Sequence, residues 1–136
     1  MIDMLELKRI GRLNGEIENL REKIKELSDA LSRVTHTLDG MPKTENYSSI
    51  LERLVAAKVD LEDKLKKLEV EKEITQAEIA VTLALSDLTV DERKILLMRY
   101  SDCRPFKEIA KSMKYTERLI FLRHRSALDK LKKTAE

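Results

Sequence analysis

This chain of 136 residues contains no tryptophan, one cysteine, two prolines and three glycines, and each scarcity excludes something. With Cys103 alone, no intrachain disulfide can form and a cysteine-based zinc site is ruled out. With so few prolines and glycines the chain has little with which to punctuate strands and turns, so an all-α fold is expected. No apolar run approaches the roughly 18 residues that span a bilayer. The first residues, interrupted by Asp3 and Glu6, do not read as a signal peptide, so a cytoplasmic location is expected. Also missing are a glycine-rich phosphate loop, a His-Glu metal motif and a nucleophile with a base near it in sequence. Neither an enzyme nor a cofactor or metal site is therefore expected.

Charge is plentiful but unevenly spread. Lys and Arg number 27 against 25 Asp and Glu, a net of +2. Residues 86–136 hold 13 basic and 8 acidic side chains, a net of +5, which leaves 14 against 17, or −3, for residues 1–85. A basic C-terminal part attracts a polyanion or an acidic protein surface.

From Ile10 onward apolar residues recur in alternating steps of three and four: Ile10, Leu13, Ile17, Leu20, Ile24, Leu27, Leu31, Val34 and Leu38. That is a heptad seam. Its early isoleucines and leucines favour a parallel two-stranded coiled coil, and Glu16 and Arg21 are placed to pair across one. The small uncharged flanks Ser28, Ala30, Thr35 and Thr37 instead admit a second helix of the same chain. Oligomerisation through Ile10, Leu13, Ile17, Leu20, Ile24, Leu27 and Leu31, and an intramolecular hairpin, both remain open. In "LDGMPKTEN", Gly40 can supply a left-handed C-cap and Pro42 cannot continue a helix, so the chain must turn.

A second helical stretch is expected from about Tyr47 to Leu85. Leu51, Leu54, Leu61, Leu65 and Leu68 form one stripe; Val70, Ile74, Ala77, Val81 and Leu85 form another, which predicts a buried face that rotates partway along. Lys58 and Lys72 fall near the seam, where their stems can lie on apolar surface while their charges reach water. An antiparallel helical hairpin over residues 1–86, dimerising through its remaining apolar surface, follows from these stripes. His36 sits on the outside of the first seam.

Past residue 86 the texture changes, with four of the five aromatics (Tyr100, Phe106, Tyr115, Phe121) crowded there, as a small globular core requires. In "LTVDERKILLMRY", Thr89 and Glu92 make a capping box, and Leu88, Ile95, Leu96 and Met98 supply the buried face. A short helix is predicted to begin with Pro105 at its first position and to end near Met113. Thr116 can then cap a third helix reaching about Lys133. Cys103 is expected as a partly buried small residue and His124 as a hydrogen-bonded structural one near the buried arc of that last helix.

Helix, short turn and capped basic helix make a helix-turn-helix pattern. The segments "LTVDERKILLMRY", "FKEIAKSM", "YTERLI" and "ALDKL" resemble region 4 of sigma-70 type transcription factors over about residues 88 to 131. The layout, a coiled-coil half joined to this module, resembles the phage-encoded sigma-like regulators of Gram-positive hosts. The resemblance implies a three-helix domain at 87–136 that binds double-stranded DNA, regulates transcription in a bacterial cytoplasm and contacts RNA polymerase.

It further implies that Ile109, Ala110, Ile120, Ala127, Leu128 and Leu131 pack the module, and that Glu117, Arg118, Phe121 and Leu122 face bases. Phe121 and Leu122 depart from the family pattern, which places polar residues there, and Arg123 stands where the pattern has an apolar core residue. The phosphate-contact candidates are Arg104, Lys107, Lys111, Lys114, Thr116, Arg123 and Arg125, with Lys130, Lys132 and Lys133 behind them. Two other classes fit the same pattern: a small terminase subunit of a DNA-packaging machine, and a protein-interaction module using Phe121 and Leu122.

Overall fold

The computed structural model describes residues 4–37 and 45–134, and every regular element among them is helical. In order they are α1 (Met4–Thr37), α2 (Glu45–Leu85), α3 (Val90–Leu96), a π-helical turn (Leu97–Ser101), α4 (Phe106–Met113) and α5 (Glu117–Thr134). The turn expected at Gly40 and Pro42 lies outside the described residues. No helix among those described is long and apolar enough to cross a membrane.

The chain forms two compact units, one of them Asn14–Glu71. In it Ile17 and Leu20 of α1 are buried, while Ile24, Leu27, Leu31 and Val34 are half-buried, as are Leu51, Leu54, Leu61, Leu65 and Leu68 of α2. Arg21 of α1 reaches Glu69 of α2 at 3.0 Å. The Arg21 charge, expected to pair with Glu16 across a dimer, is thus met from within the chain.

The other unit joins α1 up to Leu13 with everything described from Lys72 on. It is larger than a domain of residues 87–136, because Leu7 and Ile10 of α1 and Ile79 and Leu83 of α2 share one core with Leu96, Tyr100, Ala127 and Leu131. Burying an aliphatic side chain of this size fully contributes about 1.5–3 kcal/mol. The two long helices therefore supply a substantial part of the apolar surface on which α3 and α5 rest.

Two expectations change here. The shielded positions of α2 in this unit are Lys72, Thr75, Ile79 and Leu83, which continue the leucine spacing, whereas Ile74, Val81 and Leu85 are 54%, 58% and 84% exposed. The buried face does not rotate: a polar Lys72 and Thr75 in the seam made it look interrupted. Ile10, Leu13, Ile17 and Leu20 are also buried by the chain itself, at 0–9% exposure. A second copy cannot reach those four without opening existing packing.

The helix-turn-helix elements have their own small core of Ile95, Ile109, Ala110 and Ile120, packed by Met98, Phe106 and Met113. Its helix ends follow local chemistry. The Thr89 hydroxyl accepts from the Glu92 backbone N–H at 3.2 Å, and the Glu92 carboxylate accepts from the Thr89 N–H at 3.1 Å. Pro105 stands at the N-cap of α4 and not at its first helical position, so the helix starts one residue later than expected; its backbone is extended and its carbonyl accepts from the Glu108 and Ile109 N–H groups. The Thr116 hydroxyl accepts from the Leu119 N–H at 3.2 Å at the head of α5.

Candidate nucleic-acid interface

The turn between α4 and α5 is built without glycine. Lys114 takes a left-handed conformation, φ 60°, and closes α4 by donating its N–H to the Ala110 carbonyl. Cys103, just ahead of α4, is also left-handed at φ 55°. Both are conformations in which a side chain carrying Cβ is strained. Cys103 as a whole is exposed, not partly buried as expected, although its Sγ lies 3.7 Å from the Tyr100 carbonyl.

Four contacts fix how α5 is rotated. Arg123 donates to Asp91 Oδ2 at 2.6 Å, and the Tyr115 hydroxyl donates to the same oxygen at 3.0 Å. The Arg123 guanidinium lies over the Tyr115 ring, 5.0 Å from its centroid. Two turns further on, Lys130 donates to Glu92 Oε1 at 2.6 Å. Burial alone raises the Glu92 pKa, but the hydrogen bonds from Lys130 and from the backbone and side chain of Thr89, with the Lys130 charge, hold it below the usual carboxylate value. Glu92 thus caps α3 and ties it to α5 with one carboxylate.

At the other edge of α5, Tyr100 Oη and His124 Nε2 are 2.8 Å apart. Phe106 meets the His124 ring edge-on at a 4.9 Å centroid distance. Burial and the nearby Arg99 charge lower the His124 pKa, so the ring is held neutral and the Tyr100 hydroxyl can donate to Nε2. Burial raises the Tyr100 pKa against the opposing Arg99 charge, which keeps that hydroxyl protonated.

With α5 so fixed, Ile120 and Ala127 are fully buried and Leu131 nearly so. Glu117, Arg118, Phe121, Leu122 and Arg125 are exposed. At 100° per residue these five fall on one arc of the helix. The four expected base-facing residues are therefore brought together on the open side, with Phe121 55% and Leu122 53% exposed. Arg104, Lys107, Lys111, Lys114, Thr116 and Lys132 are exposed as well, whereas Arg123 and Lys130 are half-buried and engaged with Asp91 and Glu92. The Lys133 side chain lies outside the described part.

Residues 84–133 match the family model for sigma-70, region 4. The chain carries a sigma-70 region 4-like helix-turn-helix, a DNA-binding type of domain, in α3 to α5. No curated protein and no solved structure matches the chain. The matched segment includes all the residues that fix α5 except those lent to its core by α1 and by α2 before Ala84.

Sequence reasoning missed Asp91 and Arg99 within this region 4-like domain. Asp91 holds Arg123 from 32 positions away, a separation no local pattern reports. Arg99, in the π-helical turn, lies 4.4 Å above the Phe106 ring and donates to the Arg104 carbonyl at 3.2 Å. The turn that places it arises where the Asp102 N–H bonds back to Leu97 across five residues, and nothing in "LLMRYSDC" announces that shift. Among the described residues no group of three or more His, Cys, Asp or Glu could hold a metal ion.

Proposed function

We propose that this protein is a sequence-specific DNA-binding transcription regulator of phage or prophage type, acting in the bacterial cytoplasm. The observation that carries the reading is the open arc of α5: Glu117, Arg118, Phe121, Leu122 and Arg125 are exposed together on a helix whose opposite side is fixed by core packing. In the major groove Arg118 can bond a guanine with two N–H donors, Glu117 can accept from a cytosine amine, and Phe121 and Leu122 can cover thymine methyl groups. The basic residues around α4, namely Arg104, Lys107, Lys111 and Lys114, supply phosphate contacts that hold the register.

On this reading α1 and α2 form an antiparallel helical hairpin, supported by the Arg21–Glu69 pair and by the shared core of Leu7, Ile10, Ile79 and Leu83. Two copies associate through apolar surface that the chain leaves uncovered, of which Ile74, Val81 and Leu85 are an example. Paired domains then favour paired half-sites. Contact with RNA polymerase follows from the likeness to sigma region 4.

A second reading is favoured by one feature: half of Phe121 and of Leu122 lies open to solvent, which suits a protein-binding surface on the transcription machinery. Alanine at both positions separates the two. A DNA reader loses preference at particular base pairs, whereas a protein-interaction module shows unchanged, weak and sequence-blind DNA binding.

A further inference from the structure

Beside the exposed arc of α5 lies an open groove of about 660 Å³ between the start of α1, the π-helical turn and α5. That volume is in the range of sites that enclose a ligand or an anchoring side chain. Its aromatic lining is Tyr100, Phe106, Phe121 and His124, and Met4, Leu7 and Leu128 add aliphatic surface. The charged lining residues are Lys8, Arg99 and Arg125, and among the described residues no carboxylate lines it.

Two details bear on what the groove can hold. Arg99 is spread over Phe106 at 4.4 Å and uses one donor on the Arg104 carbonyl, which leaves other guanidinium donors for an incoming acceptor. Gly11 lines the groove from within α1, and a Cβ placed there would meet nothing within 4 Å. A glycine inside a helix weakens it relative to alanine, and no neighbour in the chain requires one at this point. Gly15, outside the groove, is equally open, so Gly11 contributes room along this side of α1 and no more.

We infer that this groove docks an acidic helical segment of a partner protein, which inserts one large apolar side chain onto Phe106 and Phe121 while its carboxylates meet Lys8, Arg99 and Arg125. Charge decides the occupant: an all-cationic rim around an apolar floor selects an acidic peptide over a neutral or basic one. The floor of Met4, Leu7 and Leu128 offers nothing to a sugar-phosphate backbone. Duplex DNA is the rival occupant, because Phe121 and Arg125 also belong to the open arc of α5.

Cys103, the only cysteine of the chain, lines the groove and reports on it. The test uses the full chain and a short helical peptide of glutamate and alanine with one central phenylalanine, with two counterparts: lysine replacing glutamate, and alanine replacing phenylalanine. Fluorescence anisotropy should show saturable binding of the acidic peptide alone, and that peptide should slow alkylation of Cys103. Binding should weaken at least about tenfold in Lys8→Gln/Arg99→Gln and vanish in Gly11→Leu, with each variant still showing a cooperative melting transition above the assay temperature. Gly11→Ala, which fills little space and favours the helix, serves as the folded control and should still bind. No protection of Cys103 by the acidic peptide overturns the inference, as does equal binding of either counterpart. Protection by duplex DNA but not by peptide assigns the groove to the nucleic-acid face and also overturns it.

Discussion

Arg123 is the residue on which the sequence pattern and the structure part company, and the difference can be measured. Its guanidinium lies 2.6 Å from Asp91 Oδ2, with the two side chains 37% and 33% exposed. Exposed pairs contribute at most about 1 kcal/mol. The stacking of Arg123 on Tyr115 adds about 0.5–1 kcal/mol at such a half-open location, and the Tyr115 hydroxyl shares the same acceptor oxygen. A double-mutant cycle of Arg123→Ala and Asp91→Ala, followed by urea unfolding, should give a coupling of about 1 kcal/mol, with Arg123→Ala alone costing about 1–2 kcal/mol. If Arg123 only orients α5, the slope of log K against log salt for DNA binding should be the same in Arg123→Ala as in the parent. A coupling near zero together with a slope reduced by about 0.9 would make Arg123 a phosphate contact and not an orienting residue.

Replacing Lys114 by glycine should relieve left-handed strain and stabilise the chain by about 0.5–1 kcal/mol in thermal or urea unfolding, while the salt slope of DNA binding falls by about 0.9. Arg118→Ala should leave stability unchanged, lower specific affinity by about 1–3 kcal/mol and relax preference at one base pair, as read by competition with substituted duplexes. Ile120→Ala should cost about 2–5 kcal/mol, because Ile120 is wholly buried between α4 and α3. His124 has its pKa lowered on folding. Its stabilising contribution is therefore complete above the unfolded value of about 6.5 and is lost as pH falls below it. Unfolding free energies measured between pH 7 and pH 5 should show that loss in the parent and less of it in His124→Asn.

What could be read without coordinates was local. The capping box of Thr89 and Glu92 and the Thr116 cap are patterns spanning three residues, and both hold. The helical spacing of Ile120, Ala127 and Leu131 likewise fixes which side of α5 is buried. What could not be read depended on partners distant in sequence or on backbone shifts. Thr75 occupies a seam position with a side chain that no hydropathy pattern marks as inward, whereas Lys72, expected near the seam, is half-buried there. Asp91 meets Arg123 only once α3 and α5 pack, and the π-helical turn changes the side on which Arg99 emerges. The contribution of Leu7 and Ile10 to the core beneath α5 was hidden for the same reason, since a heptad seam does not state which partner covers it.

The central claim is that the open arc of α5 reads DNA sequence. Selection of bound duplexes from a pool of random and phage-derived DNA, at low and at physiological salt, tests it most directly, with the mass of each complex read alongside. A recurring half-site motif that survives the higher salt, carried by complexes with two chains per paired site and lost in Arg118→Ala, is expected. Binding that is sequence-blind and vanishes at the higher salt would contradict it, and would shift the function of Phe121 and Leu122 to a protein partner.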